Sequence, residues 1–311
     1  MATEPGVSVV VVSYNTRDLL RQCLQSVFAS SHRPAAVYVV DNASSDGSPA
    51  MVADEFPDVV LIPLDRNLGF GGANNVALRR CATACVLLLN PDAILAPDAL
   101  KTMLAAMAAH PTVGVIGPTV LNPDGSPQSS GYHFPTLLTE VRLSKRVDRL
   151  IAAVAGPSAA QPAPTELQDV DWCDGACMLV RRAAIEQIGG FDEQYFLYAE
   201  ELDWCFNARK AGWRIAVEPR AVVWHHRGQS SVATNGVSLS ISLLVETKLR
   251  YYRKNHSLLT AVAAAAVMGA GFVKTRRQDP AARAKLEGIA RWWRSLGRSS
   301  TGEAGSSAGS A

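Results

Sequence analysis

Six cysteines are spread through the chain without a single C-x-x-C pair. Cys81/Cys85 and Cys173/Cys177 are each four apart, and no paired-histidine pattern accompanies them. A structural zinc site or a dithiol redox motif is therefore disfavoured, and the cysteines read as small core residues in a reducing cytosol. No G-x-x-x-x-G-K-[ST] loop is present. The glycine-rich stretch NLGFGGANN misses the dinucleotide fingerprint, because with Gly69 and Gly71 as its first two glycines the third position is Asn74. P-loop NTPases and nicotinamide enzymes are disfavoured on these grounds. The formal net charge of +2 leaves no excess for a nucleic-acid partner. MATEPG carries no Lys or Arg and the apolar run from Val7 to Val12 is short, so no secretory leader is expected. The apolar stretch LLTAVAAAAVMGAGFV covers 258–273, 16 residues, where a spanning helix needs ~20.

What is present is a large hydrophobic share, 48% of 311 residues, enough for a substantial core. SVVVVSYN, AVYVVDN, VVLIPL and CVLLLNPD are apolar, β-branched or leucine-rich runs. Helical stretches separate them: Arg17 to about Ser30 with Thr16 as N-cap, Pro49 to Phe56, GGANNVALRRC, and APDALKTMLAAMAAHP. Continuous apolar strands between helices predict an α/β fold, a Rossmann-like, mostly parallel sheet covered on both faces. Residues 122–170 are rich in Gly, Ser, Pro and Ala and predict a lid or loop region with a short helix around 137–154. DWCDGACMLVRRAAIEQIGGF predicts a strand and helix, EELDWCFNARKAG a helix ending at Gly212, and WRIAVEPRAVVWHHRGQSS a strand pair. SSTGEAGSSAGSA, 299–311, has the composition of a disordered tail.

Ligands of open α/β sheets bind at the carboxyl ends of the strands. Here those ends carry Tyr14–Asn15, Asp41–Asn42, Asp65–Asn67 and Asn90–Asp92. Asp41 stands where an acid commonly meets a nucleoside, although DNASSDGS also suits turn chemistry. Asp92 follows a fully apolar strand; it either begins a turn or holds a divalent metal on a diphosphate. His225 and His226 follow AVVW at another strand end. YAEELDWC places Glu200, Glu201 and Asp203 within four positions. Acids in a first turn with Arg209 and Lys210 in the last suit a helix dipole, which is the plain structural reading. The competing reading is a group that takes a proton from a substrate.

In order and spacing, VVSYN, VVDNASSDGS, NLGFGGANN, LLLNPDA, DWCDGACMLVRRAAIEQIGGFDEQYFLYAEELDWCFNARKAGW and VVWHHRGQSS resemble the motifs of family 2 glycosyltransferases of the GT-A fold, above all the bacterial rhamnosyltransferase branch. The resemblance covers about residues 7–235. It implies a nucleotide-sugar site of Tyr14, Asn15, Asp41, Asn67, Gly69, Asn74, Asn90 and Asp92. Asp92 matches the metal-binding acid of the family's D-x-D motif, with Asn90 in place of the first acid. His225 matches the histidine that completes a site for Mg2+ or Mn2+. Glu201 matches the catalytic base, usually an Asp, with Glu200 and Asp203 beside it. Trp172, Asp174 and Gly175 fall on the acceptor side. The implied reaction is inverting transfer of a sugar, most of all L-rhamnose from dTDP-rhamnose, to a glycan or polyprenyl-diphosphate-linked acceptor in cell-surface glycan synthesis. A sugar nucleotidylyltransferase and a non-catalytic nucleotide-sugar scaffold are the rival readings. The first wants a Gly- and Arg/Lys-rich loop after the first strand, where SYNTRDLL has no glycine.

Charge divides the chain unevenly. Residues 1–247 carry 18 Lys/Arg against 25 Asp/Glu, while 248–298 carry 12 against 2. The expected organisation is a nucleotide-sugar half at 1–121, an acceptor and catalytic half at 122–235, a basic helical tail at 236–298 and a disordered end. The basic tail predicts peripheral attachment to the anionic cytoplasmic face of a membrane, its apolar part in the interface. A helix packed within the protein is the alternative.

Overall fold

The computed structural model describes residues 6–141, 166–226, 229–275, 279 and 281–298. The chain divides into two compact units, one of residues 1–134 with 160–234, the other of 135–159 with 235–311.

The first unit is built on one large sheet. Its strands are β1 (Val7–Ser13), β2 (Ala36–Asp41), β3 (Val59–Pro63), β4 (Cys85–Leu89), β5 (Ala93–Leu95), β6 (Val113–Leu121), β8 (Gln168–Val170), β10 (Cys177–Arg181) and β11 (Arg214–His225). β7 (Gly131–Tyr132) and β9 (Trp172–Cys173) form a separate two-stranded ribbon. The order across the main sheet is β3-β2-β1-β4-β10-β6-β11-β5, with β8 also on β11. β1 pairs in parallel with β2 and β4, and β11 in parallel with β6. β10 runs antiparallel between β4 and β6.

All seven residues of β1 are buried, which is why the strand reads as an unbroken apolar run. Alternate residues serve opposite faces. Val7, Val9 and Val11 join a core with Leu20 and Leu24 of α1 (Arg17–Phe28) and Leu100 and Leu104 of α4 (Ala99–Ala109). Val10 and Val12 join Ala73 and Ala77 of α3 (Gly69–Leu78) on the other face, with Ala184 of α6 (Arg182–Ile188) and Trp204 and Cys205 of α7 (Glu200–Lys210). The helix expected near 49–56 is α2 (Ser48–Glu55).

Three local expectations change. The predicted strand pair is one bent strand, β11, whose register to β6 shifts between Glu218 and Val222. Pro219, with no N–H to give, sits in that shift, and EPR makes a bulge where a turn was expected. Thr16 makes no capping bond; its hydroxyl lies 2.9 Å from that of Ser13. The first turn of α1 is capped from a distance, Arg17 N–H donating to Asp46 at 2.8 Å. Of the helix expected at 137–154, α5 (Leu137–Val141) is described, and the rest lies outside the described residues, as does 299–311.

In the second unit, α8 (Gln229–Asn255) enters through a break at Gly236, and α9 (Leu258–Thr275) and α10 (Ala282–Arg298) follow. Buried Leu243, Leu249, Tyr251, Ala261, Ala264, Ala265, Met268 and Trp292 form its interior. Glu140 of α5 is buried, accepts from Tyr252 at 2.9 Å and pairs with Lys248 at 2.6 Å. Arg291 of α10 donates to Glu246 of α8 at 2.8 Å. No helix among the described residues is long and apolar enough to cross a membrane.

Candidate active site

The sheet gathers the polar strand ends along one edge. Ser13 pairs with Asp41 across β1 and β2, so Tyr14, Asn15 and Asn42 emerge side by side. Because β10 is antiparallel, its first residue Cys177 pairs with Leu89 at the carboxyl end of β4. That reversal brings Asp174–Ala176 to the same edge, and Asn90 N–H donates to Ala176 O at 2.9 Å. At the far side, His225 at the end of β11 pairs with Ala93.

On the β1–β3 side, Asp41 is buried; one carboxylate oxygen accepts from Ser44 N–H at 2.9 Å and the other is sealed without a partner. Asn15 is held at φ 53°, its carboxamide oxygen accepting from Ser45 N–H. Tyr14 is half-buried. Asn67 spends its oxygen on Asn42 (2.9 Å) and Gly69 N–H (2.8 Å), and Asn42 in turn accepts from Leu68 N–H. Asn74 is buried and donates to Phe70 O in its own helix. The carboxamides of Asn67 and Asn74 thus shape the loop and the helix start.

Asp92 is almost wholly buried, and neither carboxylate oxygen has a hydrogen bond. His225 Nε2 stands 3.3 Å from one of them. On the other side of the ring, Nδ1 lies 3.3 Å from Gln128 Oε1. Gln128 is oriented by donating to His225 O at 2.7 Å and Asn122 Oδ1 at 2.9 Å. With Oε1 facing Nδ1, that nitrogen is the one that donates to Gln128, and Nε2 is the atom left to face Asp92. A ring nitrogen this close to a buried carboxylate that accepts no hydrogen bond fits a cation between them. Among the described residues no group of three or more His, Cys, Asp or Glu gathers for a metal. Such a pair suits a hard divalent ion that keeps water and substrate phosphates as its other ligands. His226 meets Asp92 only through its backbone, N–H to Asp92 O at 3.0 Å.

The three acids of α7 escape repulsion in three ways. Tyr198 and Ala199 both take positive φ, 71° and 67°, and turn the chain into the helix. Glu200 is buried, and burial, aided by the charge of Glu201, pushes its carboxyl well above the ordinary range. Glu201 is partly exposed, with Oε2 sealed and unpartnered. Burial and then the charge of Asp174 push it up to about 7. It faces Gly175, where a methyl group would sit 3.7 Å from Oε1. Asp203 is buried and turned to Tyr195 OH (3.3 Å) and Asn207 (3.3 Å). Asp174 accepts from Ala176 N–H at 2.9 Å, and Trp172 stacks on Tyr132 with centroids 4.4 Å apart.

A model of the family described as "Glycosyltransferase like family 2" matches residues 5–241. The chain belongs to that family. It is 33% identical over 245 residues to the N-acetylglucosaminyl-diphospho-decaprenol L-rhamnosyltransferase of Mycobacterium tuberculosis, covering 72% of this chain and 76% of that one. It is 24% identical over 244 residues to rhamnosyltransferase WbbL of Escherichia coli, covering 71% and 83%. Among solved structures, the mannosyltransferase PcManGT from Pyrobaculum calidifontis, in complex with GDP-Man and Mn2+, superposes with a TM-score of 0.56 at 21% identity, covering 96% of this chain and 84% of that one. S. aureus TarS in complex with UDP-GlcNAc gives 0.55 at 19%, covering 94% and 80%. The fold is therefore that of the GT-A enzymes, and the protein is a family 2 glycosyltransferase.

Within this glycosyltransferase, sequence reading passed over Gln128 and Asn75. Asn75 donates to Phe191 O at 2.9 Å and accepts from Phe191 N–H at 2.8 Å, tying α3 to the loop before α7. Gly69, at φ 75°, lets the same loop close in: Phe70 N–H donates to Phe196 O at 3.0 Å, and a Cβ on Gly69 would overlap that carbonyl. NN inside GGANN is the one visible hint, two amides where a helix wants none. Gln128 stands in a Ser- and Gly-rich loop with no pattern around it.

Proposed function

We propose that this glycosyltransferase transfers L-rhamnose from dTDP-β-L-rhamnose to a hydroxyl of a polyprenyl-diphosphate-linked acceptor sugar, with inversion. The observation that carries the reading is the Glu201 carboxyl, pushed up to about 7 beside Asp174 and Gly175, in a chain 33% identical to a mycobacterial L-rhamnosyltransferase. A base poised near the working pH is efficient at both accepting and passing on a proton.

Asp41, with Tyr14 and Asn15, holds the nucleoside through the sealed carboxylate oxygen. Asn67, Asn74 and Gly69 form the wall that this group rests on, and Asn90 borders the diphosphate. Trp172, Asp174 and Gly175 receive the acceptor sugar. Glu201 takes the proton of the acceptor hydroxyl as its oxygen attacks the anomeric carbon. The bond from that carbon to the diphosphate breaks, and dTDP leaves with the electron pair. One displacement turns a β-L donor into an α-L-rhamnoside. Asp92 and His225 would hold Mg2+ or Mn2+, which supplies neutralising charge for the departing diphosphate. Asp203 positions α7 through Tyr195 and Asn207.

The acceptor's lipid places the enzyme at the anionic inner face of a membrane, consistent with the basic composition of 248–298. The test is turnover of a panel of labelled nucleotide sugars with a GlcNAc-diphosphate-lipid acceptor. Preferred use of dTDP-rhamnose supports the reading. Preferred use of another nucleotide sugar overturns the donor, and binding without turnover overturns the enzyme in favour of a scaffold.

A further inference from the structure

The helices α9 and α10 treat their outer surfaces in opposite ways. α10 is amphipathic: Trp292, Ala284 and Gly288 are buried, while Arg283, Glu287, Ala290 and Arg294 face solvent, Glu287 pairs with Arg294, and Trp293 is a single large apolar side chain exposed among them. α9 is apolar all round. Ala261, Ala264, Ala265 and Met268 face the interior of its unit. On the opposite side, Leu259, Ala266, Ala270 and Val273 are exposed, Leu259 at 79% and Val273 at 48%. Their spacing of seven, four and three residues is one helical stripe, running ~21 Å at 1.5 Å per residue. Leu258, 52% exposed, extends it at the helix start.

Charge says what this stripe meets. From Thr247 to Gln278 there is no Asp or Glu. Exposed Arg253 and Lys254 precede the stripe and exposed Lys274 ends it, followed in sequence by Arg276 and Arg277. An apolar line bounded at both ends by cations matches an interface of acyl chains under anionic headgroups. α9 is too short and too weakly apolar to cross.

We propose that the outward stripe of α9, Leu259–Ala266–Ala270–Val273 with Leu258, lies along an anionic bilayer, with Arg253, Lys254 and Lys274 on its headgroups. The inference rests on the reading of a lipid-linked acceptor for its purpose, and on the stripe alone for its geometry. It also refines the expectation from composition: one face of the 258–273 segment is interior, and only the opposite face is offered to lipid.

The experiment is co-sedimentation of the full chain with vesicles of phosphatidylcholine alone and of equal parts phosphatidylcholine and phosphatidylglycerol. Leu259→Glu with Ala266→Glu should lower binding to the anionic vesicles by ~10-fold or more, while Ala290→Glu on α10 leaves it unchanged. Arg253→Gln with Lys274→Gln should weaken binding and flatten its salt dependence. Circular dichroism checks that the variants fold, which their exposed positions permit. Equal binding of the double glutamate variant and the wild type overturns the proposal, as does equal binding to neutral and anionic vesicles. A dimer that the double variant dissociates, with vesicle binding unchanged, overturns it in favour of an interface between copies. Transfer to a short-chain, water-soluble acceptor should survive in the double variant. If the wild type lacks that transfer but binds vesicles as expected, the donor and acceptor reading fails and the surface stands.

Discussion

Gln128 Oε1 lies 3.3 Å from His225 Nδ1, and the same carboxamide donates to His225 O at 2.7 Å. One side chain therefore holds both the ring and the backbone of the residue whose Nε2 faces Asp92. Outer partners of this kind typically contribute 10–100-fold to metal affinity. Gln128→Ala should weaken Mn2+ binding by ~10–100-fold, read by titration calorimetry in the presence of dTDP. Asp92→Ala should remove most of it, and His226→Ala should leave it unchanged. Equal Mn2+ affinity in Gln128→Ala and wild type would show that the ring needs no such support.

Glu201→Gln should retain dTDP binding and lose ~10²–10⁴-fold in turnover, since the amide takes no proton. Its stability should move the other way. The folded carboxyl titrates at about 7, above the 4.5 of an ordinary glutamate. Between those values the folded state holds a proton that the unfolded state has lost, so this group's contribution to stability falls as pH rises through that window. Glu201→Gln should raise Tm relative to wild type at pH 8, with a smaller difference at pH 5. Wild-type turnover should fall below pH 7 as the base protonates. A Gln variant as active as wild type, with Glu200→Gln inactive, would shift the base by one residue.

Asp203 is placed for support. Its carboxylate meets Tyr195 OH and Asn207 inside the protein. Asp203→Ala removes both of these side-chain hydrogen bonds, each worth ~0.5–1.5 kcal/mol, so Tm should drop while the surviving folded fraction keeps its kcat. A large kcat loss at unchanged Tm would return Asp203 to the chemistry.

Two glycines with similar backbones separate strain from contact. Gly69 and Gly125 have φ of 75° and 82°. Gly125 has nothing within 4 Å of where a Cβ would sit, whereas Gly69 has the Phe196 carbonyl in that space. Gly125→Ala should cost only the left-handed strain of ~1–2 kcal/mol. Gly69→Ala should cost more and loosen the loop leading into α7, seen as faster amide exchange at 191–199. Equal costs would mean that the loop moves aside freely.

The centre of the sheet was legible because β1 and β4 are buried on both faces, and burial on both faces leaves apolar runs that few other structures require. The edge where those strands end was legible for the same reason, which is how Asp41, Asp92 and His225 could be named together. β11 was misread because Pro219 marks a turn and a bulge equally well. Thr16 was misread because its cap comes from Asp46, thirty residues away in sequence. The divided fates of Glu200, Glu201 and Asp203 depend on burial and on Asp174, Tyr195 and Asn207, which adjacency in sequence does not reveal. The two faces of α9 were invisible for a related reason: alanine, valine and leucine look alike whether a helix buries them or offers them to solvent.

The most direct test is the structure of the product. The enzyme is incubated with dTDP-β-L-rhamnose, a GlcNAc-diphosphate-lipid acceptor and Mg2+ or Mn2+, and the new linkage is examined by NMR. The account predicts one α-L-rhamnosyl residue on the acceptor sugar from wild type and none from Glu201→Gln. A β-linked product, or the same α-linked product formed by Glu201→Gln at the wild-type rate, would contradict single displacement with Glu201 as the base.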